Sequence, residues 1–197
     1  FQSNVNAEEV KNAVLALGIQ GNEDGLVDAF NVYLARMFAN YYNRVTFRFE
    51  EKLSENSGFL DLAEQLLMES GHNCGFYTMG NIMLSPEFDA LVASKAQGPK
   101  DWMHGIVSVI NALGWGQWRI QELEDNKRMV LRVYNSYEAI GYVKLYGNRD
   151  TPCNFMVRGV SAALMNLVYI GNIMDRPELT TDYYNQLFNA DDTFFTT

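Results

Sequence analysis

One run, residues 114–171, limits the folds open to this chain more than any other. It begins Gly114-Trp115-Gly116-Gln117-Trp118, which reads as a helix stop that passes directly into a strand. Over residues 117–123, Trp118 and Ile120 share a face. Over residues 128–134, Met129, Leu131 and Val133 share one face, and Val130, Arg132 and Tyr134 share the other. That period of two predicts two strands. The polar residues 124–127 between them predict a hairpin. Asn135-Ser136-Tyr137-Glu138-Ala139 then opens a short helix, and Thr151-Pro152-Cys153 ends the loop after it. A helix follows over residues 154–171. It carries Phe155, Met156, Val157, Val160, Leu164, Leu167, Val168 and Ile170, so it is apolar nearly all round and must be buried. A hairpin beside a buried helix, within helix-rich surroundings, predicts an α+β domain in which several helices pack with a small antiparallel sheet.

Upstream, residues 6–18 read as a helix with Asn6 at the cap, Glu9 three residues on, and Gly18 at the stop. Residues 23–43 read as a long amphipathic helix, because Leu26, Phe30, Tyr33, Leu34, Met37, Phe38 and Tyr41 recur at helical spacing. Residues 45–50 fit either a strand or an extension of that helix. A helix over 59–70 stops at Gly71, and Gly71-His72-Asn73-Cys74-Gly75 restarts another with Phe76, Met79, Ile82 and Met83. The small residues there predict a close approach of helices. Ser85-Pro86 opens a short helix, and residues 99–113 form one with Trp102, Ile106, Val109, Ile110 and Leu113 on one face. Phe1-Gln2-Ser3-Asn4 looks like an expression-tag remnant, which leaves residues 5–56 as an N-terminal helical extension and 57–197 as the main domain.

The net charge of −9, with 15 scattered basic residues, excludes nucleic acid and an anionic membrane surface as partners. The apolar run 155–171 contains Arg158 and Asn166 and is short for a membrane span, so it belongs to a core. Two distant cysteines, Cys74 and Cys153, demand no disulfide, and cytoplasm is the expected location.

The order of motifs also carries a likeness. Ala-Leu-Gly-Trp-Gly at 112–116, the hairpin, Asn-Ser-x-Glu-Ala at 135–139, Pro-Cys-x-Phe at 152–155 and a small-residue helix with Gly159 resemble the 4-vinyl reductase domain. That family belongs to a superfamily of ligand-binding domains in nitric-oxide signalling and Golgi transport. The likeness runs from about Phe59 to the C-terminus. It implies a ligand-binding fold and a homodimer, in which the N-terminal helices either cover their own domain or swap onto the second copy. In one branch of the family a cysteine placed as Cys153 is helps hold zinc, with further cysteines near the C-terminus. Residues 178–197 contain none, so no metal is expected. In the Golgi branch a cysteine carries an acyl group, but it lies beyond the position of Gly75, and no cysteine falls between Gly75 and Pro152 here.

Few residues offer chemistry. Glu69-x-x-His72 and Asp101-x-x-His104 have carboxylate–histidine spacing, but no further inward carboxylates accompany them, and both histidines read as surface or capping residues. Glu138 falls in the first turn of its helix, where a carboxylate offsets the helix dipole, with Ser136 or Asn135 as the cap. No catalytic triad, phosphate loop or nicotinamide fingerprint is present. The expected site is therefore an apolar pocket lined by Trp102, Ile106, Trp115, Trp118, Tyr134, Tyr137, Phe155, Met156 and Gly159, with no metal and no cofactor. The expected function is non-catalytic binding or sensing of a hydrophobic or aromatic small molecule. A tetrapyrrole vinyl reductase or its accessory, and a dimerising structural adaptor, are the alternatives.

Overall fold

The structure, a computed structural model, describes residues 3–35, 38–55 and 58–196. It is an α+β fold in which helices dominate and two separate two-stranded antiparallel sheets sit at the edges. Helix α1 spans Ala7–Ala16. The Asn6 side chain accepts from the Glu8 and Glu9 amides at 3.1 and 3.2 Å, so the expected cap forms. Val10 and Val14 on its inner face join the main core.

The long helix expected over 23–43 does not form. Strands β1 (Val27–Ala29) and β2 (Val32–Leu34) make a tight hairpin there. Phe30 and Asn31 at its tip both have φ of 57°, the backbone that a two-residue hairpin turn requires. A phenylalanine rarely adopts it. What offsets the strain is burial, because the Phe30 side chain is fully enclosed in the core. The helical spacing of Leu26, Tyr33 and Tyr41 was therefore not a buried face, and all three are exposed. Met37, which was part of that pattern, lies outside the described residues. Helix α2 spans Ala39–Ser54 and absorbs residues 45–50, which settles those residues as helix.

Helix α3 spans Leu60–Cys74 and does not stop at Gly71. It widens by one residue per turn over Gly75–Met79 and runs on as α4, Gly80–Met83. Helix α5 (Pro86–Phe88) is capped by Ser85, whose hydroxyl accepts from the Phe88 amide at 3.2 Å. Helix α6 spans Pro99–Ala112; residues 101–103 and 105–110 are buried, and His104 and the two ends of the helix are partly open. Strands β3 (Gln117–Glu124) and β4 (Arg128–Tyr134) form the expected hairpin, with Trp118 opposite Val133 and Ile120 opposite Leu131. Helices α7 (Tyr137–Tyr146), α8 (Phe155–Met165) and α9 (Thr181–Phe188) complete the chain. Among the described residues, no helix is long and apolar enough to cross a membrane.

The central contact is the crossing of α3 over α8. A Cβ on Gly71 would lie 2.6 Å from the Met156 carbonyl, and one on Gly75 would lie 2.6 Å from the Ala163 methyl. A Cβ on Gly159 would meet the Met68 carbonyl and, at 2.5 Å, the His72 amide. The two backbones are thus as close as glycine permits. The predicted close approach is real, but it is a crossing of unbroken helices and not a turn between them. Its depth gives a direct test. Gly159→Ala should lower unfolding stability by roughly 3 kcal/mol. Gly21→Ala, whose nearest new contact is 3.6 Å, should change it by less than about 0.5 kcal/mol. Urea midpoints measure both.

Candidate functional site

A hollow of about 810 Å³ lies between α1, the β1–β2 hairpin, the start of α2, the widened turn after α3 and the end of α6. That volume lies in the range of small-molecule sites. Val14, Ile19, Val27, Leu34, Met79 and Ile82 make its apolar wall. Leu15, Gln20 and Tyr42 line it from exposed positions and mark the open side. Cys74, Thr78 and Tyr137 supply polar atoms from half-buried positions. The lining residues include no Asp, Glu, Lys, Arg or His among those described.

Of the nine residues expected to line a pocket, Trp115, Tyr137 and Met156 line this one. Gly114 has φ of 87° and ends α6, which turns Trp115 toward α7. The Tyr137 amide donates to the Trp115 carbonyl at 3.4 Å, and the two rings meet edge to face at 5.7 Å. The other six residues lie elsewhere. Trp102 packs on Phe88 at 5.2 Å in the core, where Ile106 and Phe155 are also fully enclosed. Trp118 is buried beneath the hairpin, its backbone held by both ends of the Asn111 side-chain amide. Tyr134 is exposed on the outer hairpin face, with the Arg119 guanidinium 5.2 Å from its ring. Gly159 lines a second, smaller hollow of about 430 Å³ under the C-terminal segment.

That second hollow corrects the reading of His72 as a surface or capping residue. It is buried, and burial lowers its pKa to about 4. Its Nε2 accepts from the Asn166 amide at 2.9 Å, and Asn166 in turn accepts from the Phe194 amide at 2.7 Å. The histidine thus pins the C-terminal segment to α3 and α8. His104 is half-buried, and Asp101 beside it is buried and accepts from Ser3, Asn4 and the Gln97 amide. Among the described residues, no group of three or more His, Cys, Asp or Glu is placed to hold a metal.

Glu138 does a different job from the one its position in α7 implied. Its side chain is fully buried and reaches across to α8, accepting from the Met156 and Val157 amides at 3.1 and 3.2 Å. It therefore caps the start of α8, whose own N-cap residue, Asn154, makes no side-chain bond to the helix. Ser136 does not cap α7 either. Its hydroxyl donates to the Asn154 side chain at 2.6 Å. A carboxylate at this position was legible in the sequence as a helix-terminus charge, but the helix it serves is set by the α7–α8 packing.

The missed lining residues come from α1, the hairpin, the start of α2, the run from Cys74 to Ile82 and the end of α6. Cys74 and Thr78, four residues apart among Phe76, Met79, Ile82 and Met83, were the available signal: two small polar groups interrupting an apolar face. Their side chains lie 3.8 Å apart. Comparison of the chain with protein-family models and with curated proteins yields no match.

Burial pushes the Glu138 carboxyl up from 4.5 to about 7, against the opposing pull of the α8 amides. A carboxyl raised on folding binds its proton more tightly in the native state. Its contribution is complete below pH about 4.5 and is lost as pH rises through about 7. Wild-type protein should therefore lose stability relative to Glu138→Gln across that window and stop losing it above. Urea midpoints of the two proteins from acid to mildly alkaline pH check this. A relative gain across the window would mean that the α8 amides outweigh desolvation.

Proposed function

We propose that this chain is a non-catalytic module that binds or senses a hydrophobic small molecule in the 810 Å³ hollow beside Trp115, Tyr137 and Met156. The observation that carries the reading is an apolar cavity of ligand size with a few half-buried polar groups and an open side. The neutral lining supports binding over catalysis. Cys74 and Tyr137 are both pushed up by burial, so neither is an activated nucleophile or base near neutral pH. The resemblance of residues 59–197 to 4-vinyl reductase domains supports the same reading, because those domains belong to a ligand-binding superfamily.

The hydrocarbon fluorophore diphenylhexatriene tests it. Its emission should rise on mixing with the protein and saturate at one dye per chain. Ala112→Trp, which fills the cavity from α6, should weaken that binding about tenfold or more while the urea midpoint moves little. No emission with wild-type protein, or equal binding by the variant, would refute the assignment.

The homodimer that the resemblance implies also belongs to this reading. The outward side of α2 and the residue before it present Phe38, Tyr41, Val45 and Phe49 to solvent, with Phe38 86% exposed. That is an unusual aromatic stripe for a helix whose other face, with Asn43, Thr46, Phe47 and Glu50, is already buried. Sedimentation should give a dimer for the wild-type chain and a monomer for Val45→Glu.

A further inference from the structure

The polar groups of the cavity are not spread evenly. Gln20 and Tyr42 are at exposed positions on its open side. Cys74, Thr78 and Tyr137 line it from half-buried positions. The Cys74 thiol is 3.8 Å from the Thr78 hydroxyl, and Tyr137 lines the same hollow. The main chain of Tyr137 is held on both sides. Its amide donates to Trp115, and its carbonyl accepts from Asn43 at 3.1 Å. Among the described residues its hydroxyl has no such partner, and burial with the neighbouring Glu138 charge keeps it protonated. It is therefore a neutral donor on a residue that lines an apolar hollow and whose main chain is fixed.

What surrounds that donor limits what it meets. A carboxylate or phosphate there would find no described lysine, arginine or histidine among the lining residues, and it would stand near the buried Glu138 carboxyl. An ammonium would be stripped of water with no described carboxylate in the lining to receive it. An oxygen acceptor on an uncharged molecule meets neither cost. Resting on the reading of this hollow as a binding site, we infer that its occupant is an uncharged apolar molecule bearing one oxygen acceptor, an alcohol or carbonyl, seated against the Tyr137 hydroxyl. Cys74 and Thr78 line the same hollow.

The test displaces bound diphenylhexatriene with three chains of equal length that differ only in the head: decanol, decanoate and decylammonium. Near neutral pH, decanol should displace the dye at a concentration about tenfold lower than either ion. Tyr137→Phe should weaken decanol about fivefold more than it weakens the dye, which has no polar atom. Decanoate or decylammonium matching decanol on the wild-type protein would overturn the inference while leaving the binding-site reading intact. Decanol weakened no more than the dye in Tyr137→Phe would overturn the role of the hydroxyl. Failure of the dye to bind wild-type protein would overturn both readings together. The head-group comparison on the wild-type chain needs no variant, so it decides the question even where Tyr137→Phe folds poorly.

Discussion

The structure depends on the close crossing of α3 and α8. Gly71, Gly75 and Gly159 bring two helix backbones to a separation no side chain would tolerate. That contact buries the start of α8 and its orphan amides. Water cannot reach them, so they need an acceptor from the protein. Glu138 supplies it from α7. One constraint thus leads to the next: small residues allow the crossing, the crossing buries a helix end, and the buried end requires a carboxylate held in an environment that raises its pKa.

The same crossing divides the two hollows. On one side, α3 widens over Gly75–Met79, and Cys74, Thr78 and Met79 face the larger cavity together with Met156 of α8. On the other, His72 and Gly159 line the smaller hollow that the C-terminal segment covers. Wide helical turns recur where a helix must open space for something other than its own packing. The acidic surplus of the chain stays out of the larger cavity. Buried ionic groups are used elsewhere, as in Arg149, which grips Glu50 through two bonds of 2.6 and 2.8 Å and ties α2 to the loop after α7.

Local pattern revealed the parts whose reasons are local. The β3–β4 hairpin followed from period-two alternation, α1 from its Asn6 cap, and α6 from a Pro start and a Gly stop. The hairpin at 27–34 was hidden because its stability is not local. Nothing in the spacing of Leu26, Phe30 and Leu34 separates a helix face from a turn whose phenylalanine is turned inward, and only the core that receives Phe30 decides between them. His72 was hidden for the same reason, since its partner Asn166 is 94 residues away.

The aromatic set shows the division most clearly. The sequence by itself determined that Trp102, Trp118, Tyr137, Phe155 and Met156 sit on helices or strands and Trp115 just after a helix stop, because periodicity and glycine punctuation act over a few residues. Tertiary structure alone decided that Trp115, Tyr137 and Met156 border empty space while Trp102, Trp118 and Phe155 fill it. Whether an apolar side chain packs or lines a cavity depends on the distance to whatever lies opposite. Opposite Tyr137 stand α1 and the β1–β2 hairpin, more than one hundred residues earlier in the chain.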